Sequence, residues 1–302
     1  MKHLIDFEEW NSEDFREIIK NASIFKKGPQ VPFFLSELHS IANLFLEAST
    51  RTRVSFEVAE QKLGLHPIYI DATASSIKKG ETLYDTLKTL ESIGVKACVL
   101  RASQEVEKLK ELARQIKMPI INAGSGQSAH PTQALLDLMS IEERFGSLEN
   151  LKIAFVGDIQ HSRVVASHLQ MWQHFPVQTY LCPIDNQSLD GYENYRMDDL
   201  LESVDVLYLM RVQNERHASM QAMTNEQYHE VYGLTEARYK QMKPGSIVMH
   251  PGPFIRDKEI ASSLIEKKNV TIDQQVENGT FVRMAIIDKI LGGKASESLL
   301  NS

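Results

Sequence analysis

Ser49-Thr50-Arg51-Thr52-Arg53 places three hydroxyls and two guanidinium groups within five residues. The segment follows an apolar run and opens a stretch of helical pattern. A helix N-terminus offers unpaired N–H groups and a partial positive charge. Hydroxyls add donors, and arginine adds a planar fork that suits phosphate. Strand-to-helix turns of this kind are where α/β proteins hold anions. A routine Ser/Thr cap with solvated arginines is the better account of Ser-Thr-Arg alone. Two arginines and three hydroxyls in one turn favour the anion.

Four further clusters carry chemistry. His130-Pro131-Thr132-Gln133 precedes the apolar residues Ala134, Leu135, Leu136 and Leu138. A histidine there can donate to a carbonyl oxygen, or it can serve as a structural hydrogen bonder. Ser75-Ser76-Ile77-Lys78-Lys79-Gly80-Glu81 is a cationic loop that composition alone reads as an exposed turn. Met210-Arg211-Val212-Gln213-Asn214-Glu215-Arg216 closes a strand, and ligands collect at strand C-termini in open α/β sheets. Its cations suit a carboxylate. His250-Pro251-Gly252-Pro253 is either a rigid turn or a loop that presents backbone carbonyls. Arg51, Arg101, Arg163 and Arg211 all fall at strand ends or helix starts, as a site for two anionic substrates requires.

Other chemistries lack their signatures. Gly157-Asp158-Ile159-Gln160-His161-Ser162-Arg163 follows the strongest strand but lacks the G-x-G-x-x-G spacing of a dinucleotide site. No G-x-x-x-x-G-K-[ST] run is present, which excludes an ATP P-loop. His130 has no second His or Cys at ligand spacing, so a metal is not expected.

The elements that must position these groups alternate. Apolar strands at residues 41–46, 67–70, 97–100 and 119–122 are separated by helices at 52–63, 81–93 and 104–116. A helix at 131–145 follows, and the pattern restarts. Strands are expected at 151–156, 177–181, 204–210 and 246–249, with helices at 163–174 and 280–291 and a surface loop at 186–199. The expected fold is α/β, with two doubly wound parallel-sheet domains joined by helices. One domain comprises residues 1–131 plus 286–302, the other 132–285.

The 302-residue chain is 42% hydrophobic and 24% charged, the composition of an ordinary globular protein of two domains. Its net charge of −7 disfavours nucleic acid as a partner, and anion sites must be built locally against it. Cys98 and Cys182 sit in apolar runs and read as reduced core residues. The opening MKHLIDFEEW does not read as a secretory signal, and no run reaches the ~18 apolar residues of a membrane helix. A cytoplasmic protein is expected.

With these motifs in place, the chain resembles the aspartate and ornithine carbamoyltransferase family. Phe45-Leu46-Glu47-Ala48-Ser49-Thr50-Arg51-Thr52-Arg53 is similar to its carbamoyl-phosphate signature, and His130-Pro131-Thr132-Gln133 to its second carbamoyl-phosphate motif. The Ser75–Lys79 loop, Arg211-Val212-Gln213 with Glu215-Arg216, and His250-Pro251-x-Pro253 look like the aspartate branch. The Ser-Met-Gly loop and His-Cys-Leu-Pro segment of ornithine enzymes are absent. Many relatives carry Asn where Ile255 precedes Arg256, and some carry a larger residue at Gly252.

The resemblance implies transfer of a carbamoyl group from carbamoyl phosphate to L-aspartate, an early step of pyrimidine biosynthesis, without cofactor. Ser49, Thr50, Arg51 and Thr52 would hold the phosphate. Arg101 would reach the phosphate and the carbonyl oxygen, His130 would donate to that oxygen, and Gln133 would fix the carbamoyl NH2. Ser75 and Lys79 would be lent by a neighbouring subunit of a homotrimer, against the surface-turn reading. Arg163, Arg211 and Gln213 would bind the aspartate carboxylates, with the Pro251-Gly252-Pro253 backbone at the amine. Glu47 would bridge to Arg163 and Arg216 on domain closure. Regulatory chains or a dihydroorotase are conceivable partners; nucleic acid and membrane are not expected. A carbamoyltransferase for another amino acid, such as ornithine, and a non-catalytic paralogue are the competing readings.

Overall fold

The computed structural model describes residues 2–28, 39–71, 76–184, 188–211 and 224–293. The chain divides into two compact units: Met1–Ser140 with Ala166–His174 and Val276–Ser302, and Ile141–Val165 with Phe175–Gln275.

The first unit is built on a four-stranded parallel sheet. Its strands are β1 (Ser40–Phe45), β2 (His66–Asp71), β3 (Ala97–Ala102) and β4 (Ile120–Ser125), in the order β2-β1-β3-β4. Both inner strands are near-continuously buried, as expected where helices cover both faces. Helices α1 (Ser12–Lys27), α2 (Thr50–Lys62), α3 (Leu83–Ile93) and α4 (Val106–Gln115) belong to this unit. Leu44, Leu87, Leu100, Leu109 and Ile116 form its core. Burial of each such side chain stabilises by ~1.5–3 kcal/mol. Sequence patterning located these strands and helices to within a few residues but did not identify α1. That helix opens on a capping box, in which Asn11 accepts from the Glu13 and Asp14 N–H groups and Asp14 accepts from the Asn11 N–H.

The second unit repeats the architecture. Strands β5 (Lys152–Gly157), β6 (Gln178–Pro183), β7 (Val206–Leu209) and β8 (Ile247–Met249) form a parallel sheet in the order β6-β5-β7-β8. Val156, Leu207, Val248 and Ile260 lie in its core. Two short helices, α7 (Asn225–Tyr232) and α8 (Glu236–Gln241), were not foreseen from sequence. Three more helices have residues in both units: α5 (Pro131–Phe145), α6 (Arg163–Trp172) and α9 (Ile272–Leu291). The last begins eight residues before its expected start. The expected loop at 186–199 ends in a 3₁₀ turn, Met197–Asp199.

Cys98 and Cys182 are both buried thiols, and burial pushes each up to about 12. No described helix is long and apolar enough to cross a membrane. Among the described residues, no group of three or more His, Cys, Asp or Glu could hold a metal ion.

Candidate active site

Strand register assembles the first cluster. Phe45 at the end of β1 pairs with Arg101 of β3, and Ala102 pairs with Ser125 at the end of β4. Ser125 in turn bridges Ala129, so the 126–128 loop folds back and delivers His130 to the same sheet edge. Parallel strands all end on one side. The Ser49 turn after β1, Arg101 on β3 and His130 after β4 therefore share the C-terminal edge of three neighbouring strands, spaced ~4.8 Å apart.

Ser49 occupies the N-cap position of α2 but makes no side-chain cap hydrogen bond. No acid stands in the first turn of α2. The simple capping explanation of Ser-Thr-Arg is therefore not realised, and the partial positive charge at the helix start is uncompensated by a carboxylate of its own turn. Thr52 is buried, whereas Arg51 is exposed. Arg53 turns away from the motif, stacking on Tyr69 at 4.5 Å and pairing with Glu57 at 3.5 Å.

Arg101 is anchored twice within the unit. Its Nη1 donates to the Ala123 carbonyl at 3.0 Å, and its Nε lies 3.7 Å from Glu47 Oε2. The second contact gives Glu47 a partner inside the first unit that sequence reading did not anticipate. His130 is buried, and its backbone N–H donates to Ser167 Oγ at 2.7 Å. Gln133 is also buried. Its Nε2 lies 3.2 Å from each oxygen of Asp137, and Asp137 Oδ2 lies 3.1 Å from His168 Nε2. Arg283 of α9 donates to Ser55 Oγ at 2.8 Å and lies over the Phe56 ring, tying α9 to α2. Burial lowers its pKa to about 10, against the attraction of Asp137. Asp137, Ser167, His168 and Arg283 were missed in the sequence. An acid amid the apolar run of α5 was the one available signal.

Lys79 ends a 3₁₀ turn, Ser76–Lys79, and is exposed. Ser75, Gln213 and Arg216 lie outside the described residues.

The second unit collects its candidates in the same way. Val156 pairs with Leu209 and Tyr208 with Met249, so the Asp158–Arg163 segment, Arg211 and the His250 loop all follow neighbouring strand ends. Gly157 makes this possible. Its φ is +126°, and a Cβ there would stand 2.7 Å from the Met210 carbonyl oxygen, next to Arg211. Arg163 opens α6 and is partly exposed, as is Arg211. The Gly252-Pro253 peptide is cis. The Gly252 N–H donates to His250 Nδ1 at 2.9 Å, and the His250 N–H to Gln275 Oε1 at 3.0 Å. Asp158 is fully buried and lies 3.2 Å from His161 Nδ1.

Comparison with known proteins agrees with this layout. Residues 2–143 match the aspartate/ornithine carbamoyltransferase carbamoyl-P binding domain, and residues 149–290 match the Asp/Orn binding domain of the same family. The aspartate carbamoyltransferase catalytic subunit of Streptococcus mutans is 48% identical over 300 residues, which cover 97% of each chain. Aspartate transcarbamoylase from Trypanosoma cruzi, solved with N-(phosphonacetyl)-L-aspartic acid, superposes with a TM-score of 0.85 at 29% identity, covering 95% of this chain and 94% of that one. The catalytic subunit of M. jannaschii aspartate transcarbamoylase gives 0.86 at 33% identity, covering 96% and 98%. Sheet order, motif placement and near full-length similarity agree: the chain belongs to the aspartate/ornithine carbamoyltransferase family.

Proposed function

We propose that the chain is the catalytic chain of an aspartate carbamoyltransferase, which converts carbamoyl phosphate and L-aspartate to N-carbamoyl-L-aspartate and phosphate. The observation that carries this reading is the cation-rich, acid-free start of α2 on the same sheet edge as Arg101 and His130. The 48% identity to a catalytic subunit supports it, as does the T. cruzi relative solved with carbamoyl phosphate and aspartate.

Ser49, Thr50, Arg51 and Thr52 hold the phosphate, joined by Ser75 and Lys79 from a neighbouring subunit. Gln133 binds the carbamoyl NH2. Arg163, Arg211 and Gln213 bind the two carboxylates, and the Gly252-Pro253 backbone orients the amine. The deprotonated amine attacks the carbamoyl carbon, and an N–C bond forms. The carbonyl electrons move onto oxygen, where Thr52, Arg101 and His130 stabilise the negative charge. The C–O bond to phosphate then breaks, and phosphate departs with the electron pair and accepts the amine proton. No protein nucleophile is required, so positioning and charge neutralisation of two anions supply the rate. The carbamoyl-phosphate domain is assigned to residues 1–131 plus 286–302 and the aspartate domain to 132–285, with bounds that fall in α5 and α9, two of the helices that have residues in both compact units. The functional assembly is a cytoplasmic homotrimer.

The test offers carbamoyl phosphate with aspartate, ornithine or acetylornithine in parallel and measures phosphate release and product mass. Turnover with aspartate alone supports the reading. Turnover with ornithine, or with none of the three, refutes it.

A further inference from the structure

A primary amide presents one acceptor and one donor of nearly equal shape, so its orientation must be set by its neighbours. Gln133 faces the two oxygens of Asp137 at 3.2 Å each. Asp137 Oδ2 also lies 3.1 Å from His168 Nε2. Asp137 and His168 are wholly buried and Gln133 nearly so. An acceptor on both oxygens forces the Gln133 NH2 towards Asp137 and its Oε1 away. Among the described residues no donor reaches that Oε1. An outward oxygen is what a carbamoyl NH2 needs; a flipped amide would set NH2 against NH2. The His168 ring packs against Trp172, with centroids 5.8 Å apart, one turn along α6.

We propose that His168 is a positioning residue for carbamoyl recognition, holding Asp137 so that the Gln133 oxygen, rather than its nitrogen, faces the substrate amide. This rests on the assignment of Gln133 to the carbamoyl NH2. Arg283 also attracts Asp137. It supplies charge, whereas His168 Nε2 stands 3.1 Å from Oδ2 and closes that side of the carboxylate. Burial makes a mismatched donor pair expensive, because neither group can turn to water.

Acetyl phosphate separates the positions, since a methyl group replaces the NH2 while the phosphate and carbonyl remain. Dissociation constants for carbamoyl phosphate and acetyl phosphate are measured on the assembled enzyme without aspartate. His168→Leu should weaken carbamoyl phosphate roughly tenfold, the loss of one well-placed buried hydrogen bond. Acetyl phosphate affinity should stay unchanged, and His168→Gln, which keeps an N–H donor, should restore discrimination. Asp137→Asn should reproduce the His168→Leu result and serves if His168→Leu does not fold. Equal weakening of both phosphates, or unchanged discrimination in His168→Leu and Asp137→Asn, overturns the proposal. A wild-type enzyme that does not distinguish the two phosphates overturns instead the assignment of Gln133, and the proposal with it.

Discussion

The proposed function assigns recognition of two anions to Arg51, Arg101, Arg163 and Arg211, in a chain whose net charge is −7. Local placement has to overcome that charge. Arg101 is held by the Ala123 carbonyl and by Glu47, so its guanidinium is oriented before any ligand arrives. Such preorganisation spares the reaction the reordering of a long side chain. Arg211 follows β7 in the other unit and is expected to act on the second substrate. Arg211→Ala should raise the aspartate KM and lower kcat, a loss of about 2–5 kcal/mol in transition-state binding. Carbamoyl-phosphate affinity should remain near wild type. Steady-state kinetics in both substrates decide it; a collapse in carbamoyl-phosphate affinity with unaltered aspartate dependence would remove Arg211 from the aspartate site.

At the scale of elements, strand ends and helix starts do the positioning, and these were the most legible parts of the sequence. Short Val/Ile/Leu-rich strands flanked by helical periodicity gave both sheets, because strands buried on two faces leave continuous apolar runs. Helix α1 was missed although Phe15, Ile18, Ile19, Ala22 and Phe25 recur on one face behind an Asn cap. The start of α9 was expected at Thr280, and the helix runs through Gly279 from Ile272. In the fold Gly279 makes room for the buried Arg283, whose Nη1 would stand 2.4 Å from a Cβ there. His168 of α6 approaches Asp137 of α5 across 31 positions, and no local pattern discloses such a contact. Gly157→Ala tests the close approach of β5 and β7. Strain at positive φ and a clash with the Met210 carbonyl should lower unfolding stability by about 1–3 kcal/mol. The aspartate KM should rise with it. Chemical denaturation and kinetics that match wild type would show that the approach is not required.

Helix α2 carries a second, pH-dependent feature behind the phosphate motif. Glu60 accepts from Asn43 Nδ2 at 2.7 Å and is fully buried. Burial, with a smaller contribution from Glu57, raises its pKa to about 8, against the pull of the Asn43 hydrogen bond. Below about pH 4.5 the carboxyl is protonated in both folded and unfolded chains. As pH rises towards 8 the unfolded chain ionises while the folded one keeps its proton, so stability falls across this window. Glu60→Gln removes the titration. Its advantage over wild type should grow between pH 5 and pH 8, reaching on the order of 4 kcal/mol. Urea unfolding at the two pH values reads this directly, and a gap that does not widen would contradict a buried neutral Glu60.

For the whole molecule, the consequential expectation is a site shared between subunits. Lys79 is exposed in its own chain, at the end of a short turn beside Gly80. Arg51→Ala and Lys79→Ala should each abolish activity, the first in its own site and the second in the adjacent one. Dissociating, mixing and reassembling the two dead proteins pairs intact Arg51 with intact Lys79 at on the order of a quarter of interfaces in a closed ring. Activity should return in proportion. Confirmed subunit exchange without recovery would place Lys79 in its own site or outside catalysis.

Direct transfer of the carbamoyl group to aspartate is tested most closely by double isotope labelling. Carbamoyl phosphate labelled with 13C is incubated with 15N-aspartate, and the product is followed by NMR. Attack by the aspartate amine predicts a carbamoyl carbon split by one-bond coupling to 15N, appearing at the rate of phosphate release and growing only when the enzyme is present. Phosphate release without that coupled carbon, or a coupled product formed from 15N-ornithine and not from 15N-aspartate, would contradict it.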